Sequence, residues 1–248
     1  MYFSPNTEVI SLQEMQSLGL FPRASTKRTD DVIIGAHNGF NFVISESTLV
    51  HTEGSGKNRR TVTDFSGLVV KIQMKKHFTG ATVVGEKGRV SKVRGFDKVE
   101  LESIDFMKSR DVFATDQIEA RYILTTAFME RLATLGKIFV KDYANNSAEA
   151  VGMNPDQVNQ AIEQLQNIKA PAFIQGAIGN LLEREVFGVS AGFVDGYVYL
   201  FIPSYEPFFE VDTSKTLLDP TQYYIIYKQL DSILSVIDHL NLDSKTGL

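Results

Sequence analysis

One short motif in the chain has the spacing of a catalytic nucleophile. Residues 188–192 read Gly-Val-Ser-Ala-Gly, which matches the G-x-S-x-G elbow of serine hydrolases and would make Ser190 the nucleophile. Acids and a histidine follow in the order that this class requires: Asp195, Asp212, Asp219 and His239. The elbow, however, needs a helix after the serine, and here a second strand pattern follows. A strand of small residues is therefore the favoured interpretation, and a serine hydrolase is the alternative.

A second motif invites comparison with a phosphate-binding loop. Residues 53–58 read Glu-Gly-Ser-Gly-Lys-Asn. The glycine required five positions before Gly56 is absent, as is the Ser or Thr required after Lys57. We expect a flexible hairpin tip, whose glycine-rich, basic character still allows contact with anionic head groups.

The residue types that most often bind metals form no cluster in the sequence. The four histidines, at positions 37, 51, 77 and 239, show neither metal-ligand spacing nor grouping with carboxylates. The chain has no Cys, which excludes disulfides, cysteine-based zinc sites, iron–sulfur clusters and thiol nucleophiles. We therefore expect no catalytic residue, no cofactor and no metal ion.

The charge pattern places a basic segment in an acidic chain. The net charge is −5, yet residues 57–98 contain eleven basic residues against three acidic ones. This segment is either a solvated strand face or a surface for anionic lipid, to which each cation contributes about 1 kcal/mol. The residues predicted for a lipid contact are Lys57, Arg59, Arg60, Lys75, Lys76, Arg89, Lys92 and Arg94. Nucleic acid is not expected as a partner, because no RNA-binding signature accompanies the segment.

Strand patterns occupy two parts of the chain. Asn38-Gly39 and Asp195-Gly196 each lie between β-rich runs, and both pairs predict hairpin turns. Further strands are predicted over residues 65–74, 82–84, 98–101 and 208–211.

Helical patterns lie over residues 116–136, over an insertion at 141–185, and from Pro220 onward. Asp116 and Glu119 have the spacing of a capping box at the start of the first helix. The apolar face of this helix is predicted to include Ile118 and Tyr122, with a kink or a second cap at Thr125.

The order of these elements is that of an α+β fold. We expect one domain over residues 1–248, built on an antiparallel curved sheet or partial barrel. The central helix and the C-terminal amphipathic helix should pack on it, with the helical insertion to one side. No stretch is long and apolar enough to span a membrane, and the N-terminus lacks the pattern of a signal peptide.

Three blocks of the sequence carry a family likeness. Residues 119–132 read Glu-Ala-Arg-Tyr-Ile-Leu-Thr-Thr-Ala-Phe-Met-Glu-Arg-Leu. Residues 64–68 read Asp-Phe-Ser-Gly-Leu, and residues 78–84 read Phe-Thr-Gly-Ala-Thr-Val-Val. Together they resemble an uncharacterised bacterial family, domain of unknown function 3137, sometimes labelled galanin-like. The resemblance implies two transmembrane helices ahead of this domain in full-length members, and it supplies no activity and no catalytic residues.

These observations favour a non-catalytic regulatory or binding module of a bacterial membrane-associated protein. We expect it to be cytoplasmic, membrane-tethered in a full-length form, and to contact an anionic membrane surface or a protein partner. The basic 57–98 segment is the predicted lipid contact. The alternatives are a serine hydrolase that uses Ser190, and a protein-interaction module that uses the helices of residues 154–185.

Overall fold

The structure is a computed structural model that describes residues 1–5, 7–75, 78–90, 93–135, 188–204, 207–210, 216 and 220–240. The strands are β1 (Tyr2–Pro5), β2 (Thr26–His37), β3 (Phe40–Glu53), β4 (Arg60–Gln73), β5 (Thr82–Glu86), β6 (Asp97–Lys98), β7 (Arg110–Ala114), β8 (Ser190–Val194) and β9 (Tyr197–Pro203). The helices are α1 (Leu12–Ser17), α2 (Ile104–Ser109), α3 (Gln117–Ile123), α4 (residues 126–135 of the described part) and α5 (Pro220–Leu240).

All nine strands belong to one antiparallel sheet, in the order β1-β2-β3-β4-β9-β8-β5-β7-β6. The predicted α+β class is therefore confirmed. The sheet is open, because its edge strands β1 and β6 do not pair with each other. The predicted antiparallel sheet therefore forms, and it is not closed into a barrel.

Two hairpin turns join neighbouring strands as predicted. Asn38 and Gly39 have φ angles of 48° and 80°, and Asp195 and Gly196 have φ angles of 52° and 77°. Two successive residues with positive φ form the turn that suits the twist of a hairpin, and Asn-Gly and Asp-Gly adopt it at low cost. The first turn joins β2 to β3 and the second joins β8 to β9.

The sheet has a core on each face. On the α5 face, Phe128 of α4 and Ile233 of α5 share one buried cluster with sheet residues such as Phe193. The rings of Phe128 and Phe193 meet edge to face, with centroids 5.7 Å apart. On the α1 face, Leu18 packs with Phe201 and other sheet residues in a second cluster.

The carboxylate of Glu14 links α1 to the sheet. Glu14 completes a capping box with Ser11, and its Oε1 atom lies 2.5 Å from Lys71 Nζ and 2.5 Å from the Tyr199 hydroxyl. Burial alone would raise the pKa of Glu14, but the hydrogen bonds from Lys71 and Tyr199 bring it below its usual value. Lys71 is therefore engaged in an ion pair within the fold.

The helix predicted over residues 116–136 is divided in two. Asp116 caps α3 by accepting hydrogen bonds from two backbone N–H groups, those of Ile118 and Glu119. The chain leaves the helix after Ile123, and Thr125 caps α4, where its Oγ1 atom accepts from the backbone N–H of Phe128 at 3.3 Å. The predicted kink or second cap is therefore a second cap, and residue 136, the predicted end of the helix, lies outside the described part.

Two predictions for α3 were wrong. Glu119 does not complete a capping box; its carboxylate accepts hydrogen bonds from the backbone N–H groups of Thr79 and Gly80, at 2.9 and 2.8 Å. Ile118 and Tyr122 are not core residues, since they are 81% and 59% exposed. The break between α3 and α4 resets the helical phase, so the apolar stripe of α4 does not continue into α3.

Two other predicted elements differ from the structure, and a third lies where the structure does not test it. Residues 207–210 form no strand but a bent segment, in which Phe209 has a φ angle of 60°. The strand predicted over 98–101 is limited to Asp97–Lys98. The insertion predicted at 141–185 lies outside the described residues.

Candidate anion-contact site

The β3–β4 hairpin extends past both of its neighbours in the sheet. The last pair between β2 and β3 is Thr26–Val50, and the last pair between β4 and β9 is Gly67–Pro203. Beyond these points the two strands pair only with each other, and Glu53 and Arg60 form the final pair. We call residues 51–62 the arm.

A β-bulge and a histidine lie at the base of the arm. The pairing register shifts between Leu49 and Val50, which leaves Asp64 as the extra residue on β4. His51 Nδ1 lies 2.7 Å from Asp64 Oδ2, and His51 Nε2 lies 3.2 Å from Glu53 Oε1. Sequence spacing predicted no His–carboxylate grouping, because Asp64 reaches His51 only through the hairpin pairing.

These contacts favour a protonated imidazole. Hydrogen bonds to Asp64 and to Glu53 raise the pKa of His51, since each ring nitrogen of the protonated imidazole can donate a hydrogen bond to a carboxylate. Hydrogen bonds from Arg60 and from His51 lower the pKa of Glu53. A two-stranded hairpin is only marginally stable alone, so this network stiffens the arm where the sheet no longer supports it.

The tip of the arm is cationic. Lys57 and Arg59 are exposed and form no ion pair among the described residues, while Arg60 lies 2.8 Å from Glu53. Arg23, which sequence spacing did not point to, lies 3.9 Å from the same carboxylate. It reaches the arm because its loop is joined to the end of β3. The tip therefore carries four cations, of which only Arg60 and Arg23 lie beside the Glu53 carboxylate.

The structure does not bring the predicted basic residues into one patch. Arg60 begins β4, whereas Lys75 follows its other end, over the ring of Phe40 at 4.8 Å from the centroid. A strand of 14 residues spans roughly 45 Å at about 3.3 Å per residue. Lys75 thus belongs to the opposite end of the sheet.

The remaining predicted residues lie apart from the arm. Arg89 Nε pairs with Glu86 at 2.9 Å, and Arg94 lies in an exposed turn before β6. Both follow β5, from which β4 is separated by β9 and β8. Lys76 and Lys92 lie outside the described residues.

Ser190 and His239 are not brought together. Ser190 is buried at the start of β8, opposite Phe201, a residue of the core on the α1 face. His239 lies on α5, on the other face of the sheet, where its Nε2 atom is 3.2 Å from the carbonyl oxygen of Arg131. The serine is followed by strand and turn, without the helix that a nucleophile elbow needs.

A group of carboxyls surrounds Glu46, in the middle of β3. Both carboxylate oxygens of Glu46 accept from the backbone N–H of Phe208, at 3.3 and 3.1 Å. The pKa of Glu46 is raised to about 7, chiefly by burial and further by the charges of Asp30, Asp31 and Glu210, while the hydrogen bond from Phe208 opposes the rise. Burial, Asp30 and Glu210 likewise raise the pKa of Asp31 to about 6.

No metal centre accompanies these acids: within the described ranges, no group of three His, Asp or Glu side chains is arranged to hold a metal ion. In the same part of the chain, no helix is long and apolar enough to cross a membrane.

Fold and site together define an α+β protein with an open antiparallel sheet and a cation-tipped arm. The chain belongs to the family of proteins of unknown function DUF3137, whose family model matches residues 63–146 and 176–242. The resemblance stated from the sequence is thus confirmed. The arm, at residues 51–62, precedes the first matched segment.

Comparison with other proteins adds one structural likeness. No curated protein matches the chain. A solved structure, the mycobacterial trehalose monomycolate transport factor A, TtfA, aligns at 9% identity and a TM-score of 0.40, covering 96% of this chain and 87% of that one. A likeness of this size does not establish a shared fold.

Proposed function

We propose that this protein is a non-catalytic binding module that contacts anionic lipid head groups through the tip of the arm. The observation that carries the proposal is the placement of Lys57 and Arg59 at the tip, exposed and without ion-pair partners in the described part of the chain. The protein works on the cytoplasmic side of a membrane. The basic 57–98 segment supplies this contact through its first residues, not along its whole length.

The charge of the tip suits an anionic surface although the whole chain is acidic. The net charge of −5 opposes unspecific adsorption, so attraction must come from a local field. Charges are screened over about 8 Å at physiological ionic strength, so only cations that approach the surface contribute. An arm that extends past the sheet brings its cations to the lipid ahead of the acidic body.

A binding role without catalysis is supported by the positions of the candidate catalytic residues. Ser190 is buried within paired strands, and the sheet separates it from His239. The ionisable group at the base of the arm, His51 with Asp64 and Glu53, is engaged in mutual contacts that hold the hairpin.

The test is co-sedimentation with anionic vesicles and with neutral vesicles. Each cation near an anionic bilayer contributes about 1 kcal/mol, so the double variant Lys57→Gln/Arg59→Gln should lose about 2 kcal/mol. This corresponds to a roughly 30-fold weaker partition into anionic vesicles. The parent chain should not sediment with neutral vesicles.

The matched control is Lys75→Gln/Arg94→Gln, which removes the same charge from the same basic segment at positions away from the arm. We expect this control to bind anionic vesicles within a few-fold of the parent. Equal losses of vesicle binding in both double variants would show that binding depends only on net charge. This result would refute the arm as the contact. Binding of nucleic acid or of a protein in place of anionic vesicles would refute the lipid assignment.

A further inference from the structure

Helix α5 lies along β3, with its N-terminal end toward the arm. Near its C-terminal end, Asp238 Oδ1 lies 2.8 Å from His37 Nε2, at the turn that precedes β3. Nine residues earlier, the Gln229 side chain accepts from the backbone N–H of Phe209 at 2.8 Å, and the neighbouring Phe208 is bound to Glu46 on β3. The chain directions of α5 and β3 are therefore opposite.

The first turns of α5 continue in the same direction. They lie N-terminal to Gln229, so they extend past the position of Glu46, toward the end of the sheet from which the arm projects. Their exposed side carries three tyrosines: Tyr223, Tyr224 and Tyr227 are 56%, 38% and 60% exposed. Lys228 lies over the ring of Tyr224, 5.5 Å from its centroid. We call these three tyrosines the tyrosine ridge.

The chemistry of the ridge differs from that of the helix below it. The opposite side of α5 supplies aliphatic residues to the core, whereas the exposed side presents aromatic rings that carry hydroxyl groups. Tyrosine combines an apolar ring with a polar tip, and it is enriched at the level where head groups meet acyl chains. Lysine beside such rings adds attraction to an anionic leaflet.

We propose that the tyrosine ridge enters the interface of the same anionic bilayer that the arm contacts. The occupant follows from direction and chemistry, because the first turns of α5 lie toward the end of the sheet from which the cationic tip projects, and tyrosine suits the level of the head groups. This inference rests on the proposed function and adds a second, aromatic part to the contact. The arm supplies long-range attraction, and the ridge supplies the short-range contact that holds the protein at one orientation.

The chain contains no Trp, so one introduced tryptophan reports on one position. Tyr227→Trp places the probe on the ridge. Tyr122→Trp is the matched control, since Tyr122 is 59% exposed on α3, a helix that follows β7 at the opposite end of the sheet. Both substitutions are conservative and exposed, and thermal unfolding of each variant against the parent verifies its fold.

The measurement is tryptophan emission on addition of anionic vesicles, with and without bromine-labelled acyl chains. The expected result is a shift of the Tyr227→Trp emission to shorter wavelength and a loss of intensity to brominated lipid, with no change for Tyr122→Trp. If the protein sediments with the vesicles but the Tyr227→Trp emission is unchanged, the ridge is excluded and the role of the arm stands.

Two other outcomes also overturn the inference. Failure of both variants to bind anionic vesicles would remove the proposed function and the ridge with it. A blue shift of Tyr227→Trp that develops with protein concentration and needs no vesicle would assign the ridge to self-association.

Discussion

Replacing Glu46 by Gln should stabilise the protein at pH 8 and leave its stability nearly unchanged at pH 5. Burial and the neighbouring acids raise the pKa of Glu46 from 4.5 to about 7, so the folded state favours the protonated carboxyl. An acid with a raised pKa contributes stability below its unfolded value, and that stability is lost as the pH rises through the folded value. The loss for Glu46 therefore falls between about pH 4.5 and pH 7.

The size of the effect follows from the shift. A rise from 4.5 to about 7 is equivalent to at most about 3 kcal/mol. Glu46 is only partly buried, and contact with water reduces this to about 1–2 kcal/mol. In a chain of this length, 1 kcal/mol moves the midpoint of thermal unfolding by about 2–4 °C. We expect Glu46→Gln to raise the midpoint by roughly 2–8 °C at pH 8.

The assay is thermal unfolding of the parent and of Glu46→Gln at both pH values, with the exposed Glu102→Gln as control. Gln keeps an oxygen that can accept from the backbone N–H of Phe208, so the substitution removes charge and not the hydrogen bond. A variant that is less stable than the parent at pH 8 would refute the reasoning. It would show that the bond between the Glu46 carboxylate and the Phe208 N–H outweighs repulsion among the acids.

Three further predictions concern the arm, the sheet and the serine. His51→Gln should speed amide hydrogen exchange in residues 51–62 at pH 6. The difference from the parent should shrink as the pH rises through the raised pKa of His51. Unchanged exchange would contradict a stabilising role for the contacts of His51 with Asp64 and Glu53. Gly67→Ala should lower the free energy of unfolding, measured by chemical denaturation, by about 2 kcal/mol or more. The reason is that Gly67 has a φ angle of 145° and that a Cβ there would lie 2.2 Å from the Ile202 carbonyl oxygen. An unchanged free energy of unfolding would contradict this packing. A fluorophosphonate probe should not label Ser190, and labelling that Ser190→Ala abolishes would restore the hydrolase alternative.

The parts of the fold that sequence could predict are those with local causes. Asn38-Gly39 and Asp195-Gly196 favour tight hairpin turns whatever surrounds them, and both turns form. The apolar side of α5 likewise follows from residue spacing, and Ile233 and Ile237 are buried on it. These signals depend on neighbours in sequence, so a single chain displays them.

The parts that sequence could not predict depend on pairing between distant strands. Residues 60–64 at the start of β4 include a single apolar residue, Val62, so no repeated alternation of apolar and polar residues marks them as strand. Arg23 reaches Glu53 only because its loop is attached to the end of β3. Lys75 follows Arg60 closely in sequence but is held at the other end of β4. Closeness in sequence therefore suggested a single basic patch, whereas the sheet places these residues at opposite ends of β4.

The most direct test of the account places a probe on the tip of the arm. The chain has no Cys, so Ser55→Cys gives one attachment point for an environment-sensitive fluorophore, and Ala36→Cys gives a control at the opposite end of the sheet. We predict that anionic vesicles at low salt shift the emission of the Ser55 probe, that high salt reverses the shift, and that the Ala36 probe does not respond. Sedimentation with the vesicles without a response at Ser55, or equal responses at both positions, would contradict a contact made through the arm.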